Sequence, residues 1–301
     1  MAVGQLSAGV PAIGDRLRRT VALLRRRGYA LTPPRLAAIC IGGPITEQDV
    51  RWAVAADPEL ALAEGLVVER VACDAANAIR LRADGHEAES AEYVAMTIDF
   101  VRRLVAVAPF ITSVSIAGSL ASGGFRSSDD VDLNLIVEDG HRHIAYVVVN
   151  FLGLVHALRH RKKPVDDLTR RPVAPRLMTV NLVLERSQCR PLTRQDEDMA
   201  FELLMSEPVF GLDELNDVVA ANPTLLEHFP QLAFRPAPLM IESPKRLSRR
   251  WYPAWLDAPA QALGEAAWRY MQWTRRKHPD ALARVAFVRS TMRPYTLFDK
   301  T

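Results

Sequence analysis

Apolar residues near the start of the chain recur at helical spacing. Leu17, Val21 and Leu24 fall on one face of a run from Asp15 to Arg27, and Gly28 closes it. Thr32-Pro33-Pro34 opens a second, short helix through Ile39. Thr46-Glu47-Gln48-Asp49 has the form of a capping box, in which a hydroxyl and an acidic side chain satisfy free amides at a helix start. That third helix ends near Ala56. Two extended runs follow, Leu66 to Val71 and Ala78 to Leu81, about the turn-rich Asp74-Ala75-Ala76-Asn77. Three short helices and a two-stranded wing predict a winged-helix-like module over residues 1–85.

The pattern changes in the middle region, 86–192. Glu89 to Val107 reads as a helix ended by Pro109, Ile111 to Ala117 as a strand, and Val131 to Val137 as a strictly alternating strand. Ile144 to Leu158 is a largely apolar helix, and Leu177 to Leu184 a third strand. Residues 193–301 read as mostly helical, over Asp196 to Met205, Leu212 to Ala221, Ala262 to Arg276 and Ala281 to Met292. Pro208, Pro223, Pro230 and the proline-rich Arg235 to Pro244 interrupt them. The predicted class is α+β: a mixed sheet with helices, preceded by the winged-helix-like module and followed by a helical C-terminal region.

Composition narrows the function classes. A chain of 301 residues accommodates two domains, and a net charge of +3 is too mild to point to nucleic acid by itself. No apolar run approaches the ~20 residues needed to cross a membrane, and Met1 to Pro11 lacks the pattern of a signal peptide. Cys40, Cys73 and Cys189 are odd in number and far apart, with no Cys-x-x-Cys pair. Reduced thiols and a cytoplasmic location are therefore expected. Basic residues crowd at Arg159-His160-Arg161-Lys162-Lys163, at Lys245-Arg246 with Arg249-Arg250, and at Arg275-Arg276-Lys277, which read first as solvated ends and loops. Glu47 and Asp49 sit where a DNA-reading helix would want cations, so DNA is not the favoured partner. His156 reads as a packed histidine. Trp251, Tyr252, Trp255, Trp268, Tyr270 and Trp273 are expected to hold the C-terminal helices together.

The chemistry lies between Ser115-Ile116-Ala117-Gly118-Ser119-Leu120 and Asp129-Asp130-Val131-Asp132-Leu133-Asn134-Leu135. This is a strand, a Gly-Ser turn, and an Asp-x-Asp pair heading a second strand. Alternation sends Asp130 and Asp132 to one side while Val131, Leu133 and Leu135 face the core. Two adjacent carboxylates repel unless a cation lies between them, and magnesium takes carboxylate and phosphate oxygens together. Gly118 lets backbone approach a phosphate, Ser119 adds a hydroxyl, and a helix starting there adds free amides. Arg126 is a candidate phosphate contact. Such a geometry suits in-line attack on an α-phosphate, with two metal ions stabilising the attacking and leaving oxygens.

Val107-Ala108-Pro109-Phe110, Val114 to Ala121 and Ser128 to Val137 together resemble a group of bacterial nucleotidyltransferase-domain proteins of the DNA polymerase beta-like superfamily. Val180 to Leu184, the helix around Ala200 to Leu203, Glu207-Pro208-Val209 with Gly211, and Asn222 are similar to the group's downstream pattern. The resemblance spans about 15–230. It implies two Mg2+ ions, a nucleoside triphosphate substrate and transfer of a nucleoside monophosphate to an acceptor, a small molecule being favoured. Active members of the superfamily add a third carboxylate from a later strand. Here the corresponding face carries Thr179 and Asn181, so Asn181 is the expected neutral third ligand, with Glu185 the fallback acid and Asp166 and Asp167 weaker candidates. Two other readings remain: a non-catalytic nucleotide-binding regulatory module, and a toxin-like transferase that holds tRNA through its basic segments.

Overall fold

The computed structural model describes residues 13–126, 129–158, 178–240 and 242–298. Asp166, Asp167 and the basic run from Arg159 to Lys163 lie outside them. The first unit has three helices, α1 (Ile13–Arg26), α2 (Pro33–Ala38) and α3 (Glu47–Ala56). Thr46 caps α3 as expected: its hydroxyl accepts from the Asp49 amide while Asp49 accepts from the Thr46 amide. A hairpin of β1 (Leu60–Ala63) and β2 (Leu66–Glu69) follows, turning on Glu64 and Gly65, both at positive φ. Leu31 bridges to Val67 of β2, tying the hairpin back to the helices.

This hairpin corrects the expected wing. Its first strand, Leu60–Ala63, comes earlier than the sequence pattern placed it, and Ala78 to Leu81 is helical. The short apolar run at 78–81 is locally compatible with either state. It takes the helical one as part of α4 (Ala76–Val107), whose inner turns bury Phe100, Val101, Leu104 and Val105. The helix also runs unbroken through the expected boundary at residue 85.

The central sheet comprises β3 (Ile111–Ala117), β4 (Val131–Val137), β5 (Met178–Glu185) and β6 (Glu207–Phe210), in the order β5-β4-β3-β6. β3 pairs antiparallel with both neighbours, and β4 runs parallel to β5. The short α5 (Gly118–Ser122) follows β3, and α6 (Arg142–Ala157) connects β4 towards β5. After β5 come α7 (Glu197–Met205), then β6, α8 (Leu212–Ala220), α9 (Pro223–His228), α10 (Asp257–Arg275) and α11 (Pro279–Met292).

Alternation along β4 divides the molecule into layers. Val131, Leu133, Leu135 and Val137 enter one core with α4 and α6. Ile136 joins Leu182 and Leu184 of β5 in a second core under α7, α8 and α9. That second core also takes Leu17, Val21 and Leu24 of α1, together with Leu36 and Val50. The N-terminal module is therefore built into the body of the protein. Arg26 and Arg27 reinforce the junction by pairing with Asp198 of α7.

The basic cluster around residue 246 has a structural explanation. Arg246 donates to the carbonyls of Val105, Ala108, Pro109 and Ile111, so it closes the C-terminal end of α4 and the start of β3. Among the described residues no helix is long and apolar enough to cross a membrane.

Candidate functional site

β3 and β4 bring their functional ends together by register. Ala117, the last residue of β3, pairs with Asp132, and Asp132 pairs on its other side with Thr179 of β5. Asp132 therefore faces the side opposite Leu133, towards α7, and Asp130 continues the alternation one step beyond the strand. Both aspartates are half-buried, and neither is isolated. Thr179 Oγ1 donates to Asp132 Oδ1 at 2.9 Å.

Gly118 follows at φ +62°, in the left-handed region that favours glycine. A Cβ built on it would lie 2.3 Å from Asp132 Oδ2 and 3.1 Å from Asp132 Cγ. The space that glycine leaves is thus occupied by the aspartate carboxylate. This sharpens the expectation for Gly118: its missing side chain first admits Asp132 against the turn. Ser119 is half-buried, and α5 is a single turn, in which Ser122 Oγ donates back to the Gly118 carbonyl. So short a helix has few aligned peptides to concentrate charge at its start. Arg126 is exposed, at the beginning of a turn in which its amide donates to Asp129 Oδ2.

The expected third position divides between two residues. Thr179 is the one in register with Asp132, so the position beside that carboxylate carries a hydroxyl. Asn181 falls at an irregularity between Leu133↔Val180 and Asn134↔Leu182. Both Asn181 and Leu182 therefore oppose Asn134, as at a β-bulge. Asn181 Nδ2 donates to Asn134 Oδ1 at 2.9 Å and to Glu202 Oε1 at 2.9 Å, and Asn134 Nδ2 donates to the same Glu202 oxygen at 3.0 Å. The two amides are locked by one carboxylate. Among the described residues no hydrogen bond reaches Asn181 Oδ1.

Glu185 is corrected as a metal ligand. It pairs with Val137, whereas Asp132 pairs with Thr179, so it stands at the other end of β4, roughly 17 Å away at ~3.3 Å per residue. Its carboxylate accepts from the Gly140 amide at 2.8 Å and belongs to the turn after β4. The bulge at Asn181 also shifts the alternation, so Glu185 leaves the face that carries Asp132.

Glu202 is the acid that sequence reasoning missed. It lies one turn after Met199 on α7, between buried Phe201 and Leu203. A signal was present, since a glutamate three residues after an inward methionine sits on the apolar face of its helix. Among the described residues no group of three His, Cys, Asp or Glu side chains could by itself hold a metal ion.

At the same end of the sheet, Glu207 of β6 pairs with Ile116. Burial pushes the Glu207 carboxyl above the usual carboxylate range. It lines a cleft of about 390 Å³ with Ala121 of α5, Gln231, Phe234 and Arg235. Gln231 Oε1 and Arg235 Nε are buried there with no hydrogen-bond partner among the described residues. Burial lowers the Arg235 guanidinium to about 10, which still leaves it charged at neutral pH.

His156 is packed, meeting the Phe100 ring edge-on at 5.6 Å. The aromatic expectation is corrected in part. Tyr252 packs against Phe110, but Trp251, Trp255, Tyr270 and Trp273 are 73%, 70%, 65% and 57% exposed. The residues that α10 buries are the small Ala260 and Gly264, and its exposed aromatics lie away from them. Comparison of the chain with protein-family models, with curated proteins and with solved structures found no match.

Proposed function

We propose that this chain is a magnesium-dependent nucleotidyltransferase of the polymerase beta-like kind, moving a nucleoside monophosphate from a triphosphate to a small acceptor and releasing pyrophosphate. The observation that carries this reading is the fit of Gly118 against the Asp132 carboxylate, with Asp130 on the same side. A backbone turn stripped of its side chain and two half-buried carboxylates then share one end of the sheet.

The donor set suits a hard cation held jointly with substrate. Magnesium usually keeps water and phosphate oxygens and takes only one or two protein carboxylates. Asp130 and Asp132 supply those two, and Asn181 Oδ1 adds a neutral oxygen. Without a third acid this fits one ion arriving with the nucleotide better than the two resident ions expected from the superfamily. When bound, the ion would neutralise phosphate charge as a Lewis acid.

The chain's own residues have distinct tasks. Thr179 fixes the orientation of Asp132 through its hydrogen bond to Oδ1. Glu202 orders Asn134 and Asn181, which aims the remaining amide oxygen. Gly118 and Ser119 offer a polar turn to the triphosphate, and Arg126, exposed four residues before Asp130, is the candidate cation for its phosphates. The cleft at Glu207 has the volume for a small acceptor, with a carboxyl, an amide oxygen and a guanidinium to orient it.

The test is pyrophosphate release from each nucleoside triphosphate with magnesium and a panel of small hydroxyl- and amine-bearing acceptors. Release that Asp132→Asn abolishes supports transfer. Thr179 in place of a third acid favours the second reading, a nucleotide-binding regulatory module. Magnesium-dependent binding without release under any condition would favour it.

A further inference from the structure

The end of α10 carries a ladder of planar side chains. Tyr270 and Trp273 stack with ring centroids 6.1 Å apart and planes 26° apart, and the Arg276 guanidinium lies 4.3 Å above the Trp273 ring. These residues are spaced three apart, so they climb one helical face. Tyr270 is 65% and Trp273 57% exposed, and Arg276 is exposed as well. Beside them the Arg289 guanidinium of α11 lies 4.7 Å from the Trp268 ring, and Lys277 is exposed at the helix end. Large aromatics left in solvent in a row are unusual for a surface with no partner.

Charge decides among the partners. From Asp257 to Arg293 the acids are Asp257, Glu265 and Asp280, while the cations are Arg269, Arg275, Arg276, Lys277, Arg284, Arg289 and Arg293. Asp257 is turned inward to bond the α6 amides, and Glu265 pairs with Arg269. At the exposed ladder itself, Arg276 and Lys277 have no acidic partner among the described residues. Aromatic faces take successive unpaired bases whatever their sequence, while arginine and lysine follow the phosphates.

We propose that the Tyr270–Trp273–Arg276 ladder is a binding surface for single-stranded nucleic acid, with a base extending the stack at Tyr270, which Trp273 backs, and phosphates held by Arg276 and Lys277. This site does not depend on the nucleotidyltransferase reading of Asp130 and Asp132.

The test is fluorescence anisotropy of a labelled oligouridylate 20-mer with the full chain, over a salt series. Binding is expected to weaken roughly 50-fold from low to physiological salt if about four phosphates are neutralised. Trp273→Ala and Tyr270→Ala should each weaken it about tenfold, and Arg276→Gln should flatten the salt slope. The rings are exposed, so far-ultraviolet circular dichroism and melting temperature should not move. No binding of the oligomer by the wild-type chain, or binding unchanged in both ring variants, would overturn the proposal. So would ring-dependent sedimentation with anionic phospholipid vesicles, or ring-dependent self-association, in the absence of oligomer binding. Loss of magnesium-dependent triphosphate binding is read separately, in Asp132→Asn.

Discussion

Gly118 and Asp132 depend on each other more closely than their separation in sequence suggests. A methyl group on Gly118 would both oppose the left-handed backbone and press on the carboxylate. Gly118→Ala should therefore cost about 1–3 kcal/mol of stability and weaken triphosphate binding, checked by denaturant unfolding and calorimetry. A variant of unchanged stability would show that the turn relaxes freely. Asn181 carries a second residue-scale prediction. A triad argument from sequence alone would have Asn181→Asp gain a metal. Its amide nitrogen, however, donates to Glu202 and Asn134, and a carboxylate there donates nothing and faces another carboxylate. Asn181→Asp should lose about 1–3 kcal/mol at neutral pH, less in acid where the carboxylates are protonated. Stability unaffected by pH in the variant would contradict this. Asp130, Asp132 and Gly118 were legible because strand alternation and turn chemistry are local. Glu202 was not, since its role depends on α7 lying across β4 and β5.

At the scale of elements, β3 and β4 follow their sequence patterns residue for residue. Buried strands with alternating or continuous apolar runs leave little choice of state. β6 was not foreseen, for it is four residues long, contains Pro208, and exists by pairing with the edge of β3. The bulge in β5 was equally hidden, and it is what turns Glu185 off the face that carries Thr179 and Asp132. Thr179→Asp should place a third carboxylate beside the pair and tighten magnesium in the presence of triphosphate, measured as a lower half-saturating magnesium concentration. An unaltered value would remove Thr179 from the site. The junction of α6 and α10 rests on Asp257, whose carboxylate accepts from the amides of His143 and Ile144 and pairs with the His143 ring. Burial alone would raise its pKa, but these hydrogen bonds and the histidine outweigh it, and the net direction is down. A depressed folded pKa means stability present at neutral pH and lost as pH falls through it. Asp257→Asn should cost about 1 kcal/mol at neutral pH, and the deficit should shrink in acid. A deficit constant across pH would oppose that assignment.

Across the whole molecule, one sheet separates two cores, and the N-terminal module shares the second of them with α7, α8 and α9. The sequence showed the module's helices but not this shared core, because its contacts join residues far apart along the chain. Glu207 gives a prediction that belongs to this assembly, since the cleft around it is built from α5, β6 and the segment after α9. Its carboxyl is raised by burial, so ionisation opposes folding: the stability is present below the unfolded pKa and lost as pH rises through the folded one. Glu207→Gln should raise the melting temperature at neutral pH and give no gain in acid. A neutral-pH decrease would indicate an ionised, partnered carboxylate instead.

The central claim is that Asp130 and Asp132 hold magnesium against a triphosphate. Calorimetric titration of a nonhydrolysable triphosphate, with and without magnesium, into the wild type and into Asp130→Asn and Asp132→Asn tests it most directly. The account predicts wild-type binding that requires magnesium and a loss of at least about tenfold, or ~1.4 kcal/mol, in each variant. Magnesium-dependent affinity unchanged in both variants, or no triphosphate binding by the wild type, would contradict it.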